Sequence, residues 1–108
     1  MKAAVLYAAN TPLQIEHFDL PDIEDDQVRV RLEASGVCRS DWHIIKGDWV
    51  NFSVNNPPVI LGHEGAGVVE EIGSAVHNVK VGDHVVLSWV RNCGLCEMCQ
   101  MGYPNASW

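Results

Sequence analysis

Basic residues are scarce in this 108-residue chain: seven lysines and arginines stand against fourteen acids, for a formal net charge of −7. The seven are scattered from Lys2 to Arg91 and form no patch, which argues against a nucleic-acid-binding surface. Long apolar runs are also missing. None approaches the ~20 residues that a helix needs to cross a bilayer, and Met1 to Ala9 lacks the long apolar core of a secretory signal. Neither nucleic acid nor membrane is therefore an expected partner, and the expected location is the cytoplasm. There is no internal repeat, low-complexity tract or interdomain linker. At this length one domain is expected, able to bury roughly two-thirds of the surface its unfolded chain exposes. An enzyme of two sizeable lobes is excluded.

The acidity that is present is local. Asp19, Asp22, Glu24, Asp25 and Asp26 fall within eight residues, the pattern of a solvated turn. Just after them, Val28 to Ala34 alternates strictly, apolar at even positions and charged at odd ones, which predicts a strand with one wet face. Lys2 to Tyr7, Leu13 to Phe18, Gly67 to Ile72 and His84 to Trp89 are further short runs rich in Val, Ile and Leu, separated by turn-forming residues. They predict additional strands. Strands this frequent suggest a barrel or sandwich. Helix is nearly absent: Ser40 to Lys46 is the single helical pattern, with Ser40 able to cap it, Trp42, Ile45 and Ile44 facing inward, and Gly47 ending it. Asn55-Asn56-Pro57-Pro58 predicts an extended connection into Val59-Ile60-Leu61. From Asn92 to Trp108 there is no periodicity, so this stretch is expected to be organised by something other than a core.

Cys93, Cys96 and Cys99 recur at every third position within that stretch. Such spacing gathers thiolates on one ion rather than bridging distant segments, and a bound metal supplies the folding energy that an aperiodic loop lacks. A reduced compartment follows. Gly62-His63-Glu64-Gly65-Ala66-Gly67 sets a His-Glu pair between glycines that permit tight turns, suiting a metal site or an acid–base pair. In Gly36-Val37-Cys38-Arg39-Ser40-Asp41-Trp42-His43 a lone cysteine follows the clearest strand and precedes a run of polar groups. Taken singly, Cys38 reads as a small buried hydrophobe and His63 as a structural histidine.

Together these segments, with Val-Gly-Asp at 81 to 83, resemble the zinc-dependent alcohol dehydrogenases of the medium-chain family, in order and separation across nearly the whole chain. The resemblance implies a mainly β, GroES-like, partly open β-barrel with a short helix and a cysteine-rich loop lobe at 92–108, the whole of 1–108 being one incomplete N-terminal domain. It implies that Cys38 and His63 are catalytic zinc ligands, that Glu64 is the carboxylate beside that zinc, and that Asp41 hydrogen-bonds the ligand histidine. Ser40 matches the hydroxyl that accepts the alcohol's proton. His43 matches the histidine that passes the proton to solvent, Arg39 a residue that meets the cofactor pyrophosphate, and both fall at cofactor-contacting positions. Cys93, Cys96 and Cys99 match structural zinc ligands. The implied cofactors are zinc and NAD or NADP, and the implied substrates are small alcohols or carbonyl compounds.

Two departures accompany the resemblance. The family's third catalytic ligand and its Gly-x-Gly-x-x-Gly nucleotide site lie beyond position 108, and Gly62 to Gly67 does not supply the latter. At the fourth structural-zinc position the chain has Ser107, a poor zinc ligand when neutral. The chain is accordingly expected to be a piece of a dehydrogenase, inactive by itself, with a non-catalytic zinc-binding or interaction module as the alternative. A barrel lacking its remaining strands exposes apolar edges, so homo-oligomers are expected.

Overall fold

The computed structural model describes residues 1–49, 57–90 and 92–107. Among them the order is β1 (Lys2–Leu6), β2 (Gln14–His17), β3 (Val28–Ser35), α1 (Arg39–Ile45), β4 (Val59–Ile60), β5 (Gly65–Ile72), β6 (His84–Val86) and α2 (Glu97–Gln100), followed by a 3₁₀ turn at Pro104–Ala106. The strands form two antiparallel three-stranded sheets, ordered β2-β1-β4 and β3-β5-β6. This is the mainly β, partly open architecture that the motif series implies. The core sits on the two central strands: Val5 and Leu6 of β1 and Val69 of β5 are the buried apolar side chains among the described residues.

Residue chemistry accounts for the longest ladder. β3 is rich in β-branched and alternating residues, and it pairs with β5 from Val28↔Ile72 to Ser35↔Gly65. The register shifts between Arg29 and Val30 and again between Leu32 and Ala34. Opposite the second irregularity the strands approach so closely that a Cβ on Gly67 would lie 2.1 Å from the Arg31 carbonyl oxygen. Only glycine fits there.

The strand forms where the alternation predicts it, but its burial does not alternate: Val28, Leu32 and Ala34 are exposed, Leu32 to 56%, whereas Arg29 is half-buried. Periodicity identifies an apolar face; whether anything covers it is decided elsewhere. The total accessible surface is 8339 Å², against about 6,000 Å² for a compact monomer of this mass. The radius of gyration is likewise 15.9 Å, against about 13 Å. Both quantities describe an open fold with uncovered sheet faces.

Several boundaries shift from the expected ones. The strand predicted over His84 to Trp89 ends at Val86, although the Leu87 N–H still donates to the Gly65 carbonyl at 2.8 Å. The helix predicted from Ser40 starts one residue earlier, with Cys38 at the N-cap and no side-chain cap bond, so Ser40 lies inside the first turn rather than capping it. Ile44 and Ile45 are half-buried as expected, whereas Trp42 is 55% exposed. Two helical turns present only a narrow inward stripe, and Trp42 instead borders a hollow of about 290 Å³ with Leu13, Val37 and Ile45. The aperiodic segment holds two short helical turns. Of the extended connection predicted at 55–58, Asn55 and Asn56 lie outside the described residues, as does Arg91.

Candidate metal centres

Pairing of Ser35 with Gly65 closes one end of the β3–β5 ladder. Beyond it, the chain leaving β3 and the chain arriving at β5 run side by side, joined by the Gly36 N–H, which donates to the Glu64 carbonyl at 3.0 Å. This geometry brings Cys38, at the N-cap of α1, to His63, 25 positions away in sequence. The Cys38 sulfur, a His63 ring nitrogen and a Glu64 carboxylate oxygen lie within 4.8 Å of one another. Gly36 is part of the arrangement, because a Cβ there would stand 1.9 Å from the Glu64 carboxylate. Its role was not read from the sequence; the glycine two residues before Cys38 was the available signal.

The imidazole of His63 is oriented from both sides. Its Nδ1 is 3.3 Å from Asp41 Oδ1, and its Nε2 is 3.3 Å from Ser40 Oγ. The Asp41 carboxylate stands at ion-pair distance from Nδ1, the side from which a carboxylate orients a ligand histidine. The Ser40 hydroxyl donates to Cys38 Sγ at 3.0 Å. It therefore touches two of the three potential ligands. Both Asp41 and Ser40 reach this point because the first turn of α1 follows directly on Cys38. A cleft of about 500 Å³ opens beside the cluster, walled on its apolar side by Val86, Leu87 and Trp89. Sequence reasoning took His84 to Trp89 only as a strand; its apolar residues past Val86 were the missed signal.

His43 and Arg39 stand apart from this cluster. Among the described residues no hydrogen bond joins His43 to Ser40; instead His43 Nδ1 lies 2.8 Å from Asp48 Oδ2, and the ring stacks on Trp49 with centroids 5.4 Å apart and planes inclined by 16°. The hydrogen bond from His43 holds the Asp48 carboxyl below its ordinary value. Arg39 opens α1 with an exposed side chain.

A second donor set lies in the segment following β6. The sulfurs of Cys93, Cys96 and Cys99 are also within 4.8 Å of one another, and no cysteine of the chain is in a disulfide. The loop curls around Cys93: the N–H groups of Leu95 and Cys96 donate to its sulfur at 3.4 and 3.2 Å. Those two N–H groups, first Leu95 and then Cys96, together with the Ser107 hydroxyl, lower its thiol pKa from the ordinary value. Ser107 closes the ring. Its Oγ accepts from the Cys93 N–H at 3.2 Å and from the Cys96 thiol at 3.6 Å.

Thiolate, imidazole and carboxylate are the donors zinc takes, and three clustered thiolates suit zinc equally. Both sets fit the metal. One set lies where two strands part and the other in a loop after the last strand. Residues 24–107 match the family model for the alcohol dehydrogenase GroES-like domain, and the chain belongs to that family. It is similar to the NDMA-dependent alcohol dehydrogenase of Amycolatopsis methanolica, 44% identical over 104 residues that cover 96% of this chain and 27% of the relative. Alcohol dehydrogenase B of Mycobacterium tuberculosis is 41% identical over 104 residues, with the same two coverages. Among solved structures, the alcohol dehydrogenase of Aeropyrum pernix superposes with a TM-score of 0.82 at 37% identity, covering 94% of this chain and 30% of that one. The chain thus spans just over a quarter of the length of these curated relatives.

Proposed function

We propose that this chain is the N-terminal, GroES-like part of a zinc-dependent alcohol dehydrogenase that oxidises alcohols to aldehydes or ketones with NAD or NADP. The carrying observation is the convergence of Cys38, His63 and Glu64 within 4.8 Å, with the Ser40 hydroxyl bonded to the first and facing the second. Family membership and the relatives' names support the same reading. Cys38 and His63 hold the metal, and Glu64 is a carboxylate in reach of it. Zinc bound there supplies Lewis acidity that makes an alcohol hydroxyl easier to deprotonate at neutral pH. Ser40 Oγ, at the edge of the cleft, accepts that proton. Asp41, 3.3 Å from His63 Nδ1, orients the ring, and His63 would hold the metal through Nε2. Val86, Leu87 and Trp89 line the cleft and offer the alcohol's carbon skeleton an apolar wall.

His43 is the onward proton carrier in this reading, held ready by Asp48 and Trp49. No direct Ser40–His43 hydrogen bond is present among the described residues, so the path between them needs an intermediary. Arg39, exposed at the start of α1, meets the cofactor pyrophosphate. Residues 1–108 form one domain whose cysteine-rich lobe is 92–108, working in the cytoplasm, where its thiols stay reduced.

Replacing Cys38 or His63 by Ala in the dehydrogenase that carries this segment is expected to abolish alcohol-dependent reduction of the nicotinamide. The 108-residue chain itself is expected to show none. Activity surviving either replacement would refute the assignment and leave a zinc-binding module, the reading that Ser107 at the fourth lobe position favours.

A further inference from the structure

We propose that the cysteine-rich lobe holds zinc in a three-thiolate, one-oxygen site whose Ser107 vertex exchanges with a small exogenous thiol. The inference rests on Cys93, Cys96 and Cys99 being zinc ligands and goes beyond it, because it concerns what the fourth position does. A fully thiolate site is closed; this one carries a neutral oxygen where a fourth anion would sit.

One distance in the loop matches what that oxygen would have as the fourth donor. With zinc–sulfur bonds of about 2.3 Å and zinc–oxygen bonds of about 2.1 Å, tetrahedral angles set sulfur and oxygen about 3.6 Å apart. Ser107 Oγ is 3.6 Å from Cys96 Sγ, and the Cys93 N–H donates to it at 3.2 Å. That N–H occupies one lone pair of the hydroxyl and fixes its direction. The three sulfurs supply three negative charges to a dication, so the fourth position gains little from attraction to a neutral hydroxyl. A soft thiolate is the better donor for zinc. The segment is also open to solvent, with Cys93 and Leu95 exposed, which gives a small thiol access. In the exchange, the incoming thiol releases its proton to solvent and binds as thiolate, while Ser107 leaves as an intact neutral hydroxyl. No electrons are transferred.

Cobalt(II) substitution tests this in the 108-residue chain with Cys38→Ser, so that sulfur-to-metal charge-transfer absorption arises from the lobe alone. In that background, 2-mercaptoethanol is expected to raise the charge-transfer intensity by up to one third, as three thiolates become four. Adding Ser107→Cys is expected to produce the higher intensity without added thiol, to abolish the response to it, and to raise zinc affinity in chelator competition. Ser107→Ala should lower the affinity and retain the thiol response. Absence of any charge-transfer band would refute the zinc-ligand reading itself. A band that is insensitive to thiol, or unchanged in both Ser107 variants, would overturn the inference while leaving that reading intact. If a lobe variant fails to fold, the comparison with and without thiol in the Ser107 protein still decides.

Discussion

The two donor sets of this chain are built on opposite principles. Cys93, Cys96 and Cys99 occupy seven consecutive residues and are held by N–H groups of their own loop. Cys38 and His63 meet only because β3 and β5 pair in one register, with Ser35 opposite Gly65. The first set depends on local backbone turns, the second on a long-range ladder. Damage to the sheet should therefore separate them, and local damage should not spread from one to the other.

The largest separation is expected from Gly67→Ala. Its Cβ would collide with the Arg31 carbonyl, and forcing the strands apart should cost about 3 kcal/mol in urea denaturation. Zinc titration of this variant should show the Cys38 site lost and the lobe site retained; simultaneous loss of both would make them one cooperative unit. Next in size is Asp41→Asn. Removing the carboxylate that orients His63 should weaken metal binding at that site about 10- to 100-fold, with lobe affinity unchanged in the same titration. A metal affinity unaltered by Asp41→Asn would show that the Asp41–His63 contact at 3.3 Å does not orient the ligand.

Smaller effects sharpen the contrast at the sheet edge and the turn. The face carrying Val86, 80% exposed, and Trp89, 74% exposed, belongs to the sheet-built region. Self-association through it should appear as concentration-dependent sedimentation and weaken in Trp89→Ser. A monomer at all concentrations would remove association from the account. The turn before β6 provides a pH test. Hydrogen bonds from the backbone and side chain of Lys80 hold the Asp83 carboxyl below the ordinary carboxylate range. A depressed carboxyl pKa contributes stability above the unfolded-state value, and the contribution disappears as pH falls through the lower folded-state value. Asp83→Asn should thus flatten the acid limb of a thermal melting series below about pH 4 and leave the lobe's metal affinity at neutral pH untouched.

How much was legible in the sequence follows the same division between local and long-range. The alternation of Val28 to Ala34 marks β3 within a residue of its observed end, and the Ser40 to Lys46 pattern marks α1 within one. The thiol spacing marks the lobe cluster. His63 and Cys38, judged separately, read as ordinary core residues; only the ordered series of motifs joined them. Asp48 and Trp49 as partners of His43, Gly36 as the gap that admits Glu64, and the apolar wall of the cleft were not read at all. Each depends on where separate segments meet, which hydrophobic period and turn chemistry do not encode.

The sequence by itself determined the elements whose interactions span a few residues: the strand alternation, the short helix, the glycine-punctuated turns and a thiolate loop with serine at its fourth position. Only the tertiary structure decided that Ser40 lies against Cys38 and His63 instead of capping a helix, that Asp41 faces Nδ1, and that Ser107 Oγ stands at bonding distance from the thiol loop. The physical reason is range. Turn and helix hydrogen bonds close within a few residues and leave a local signature, whereas the β3–β5 register sums many weak pairings, and its consequence appears at residues outside the ladder.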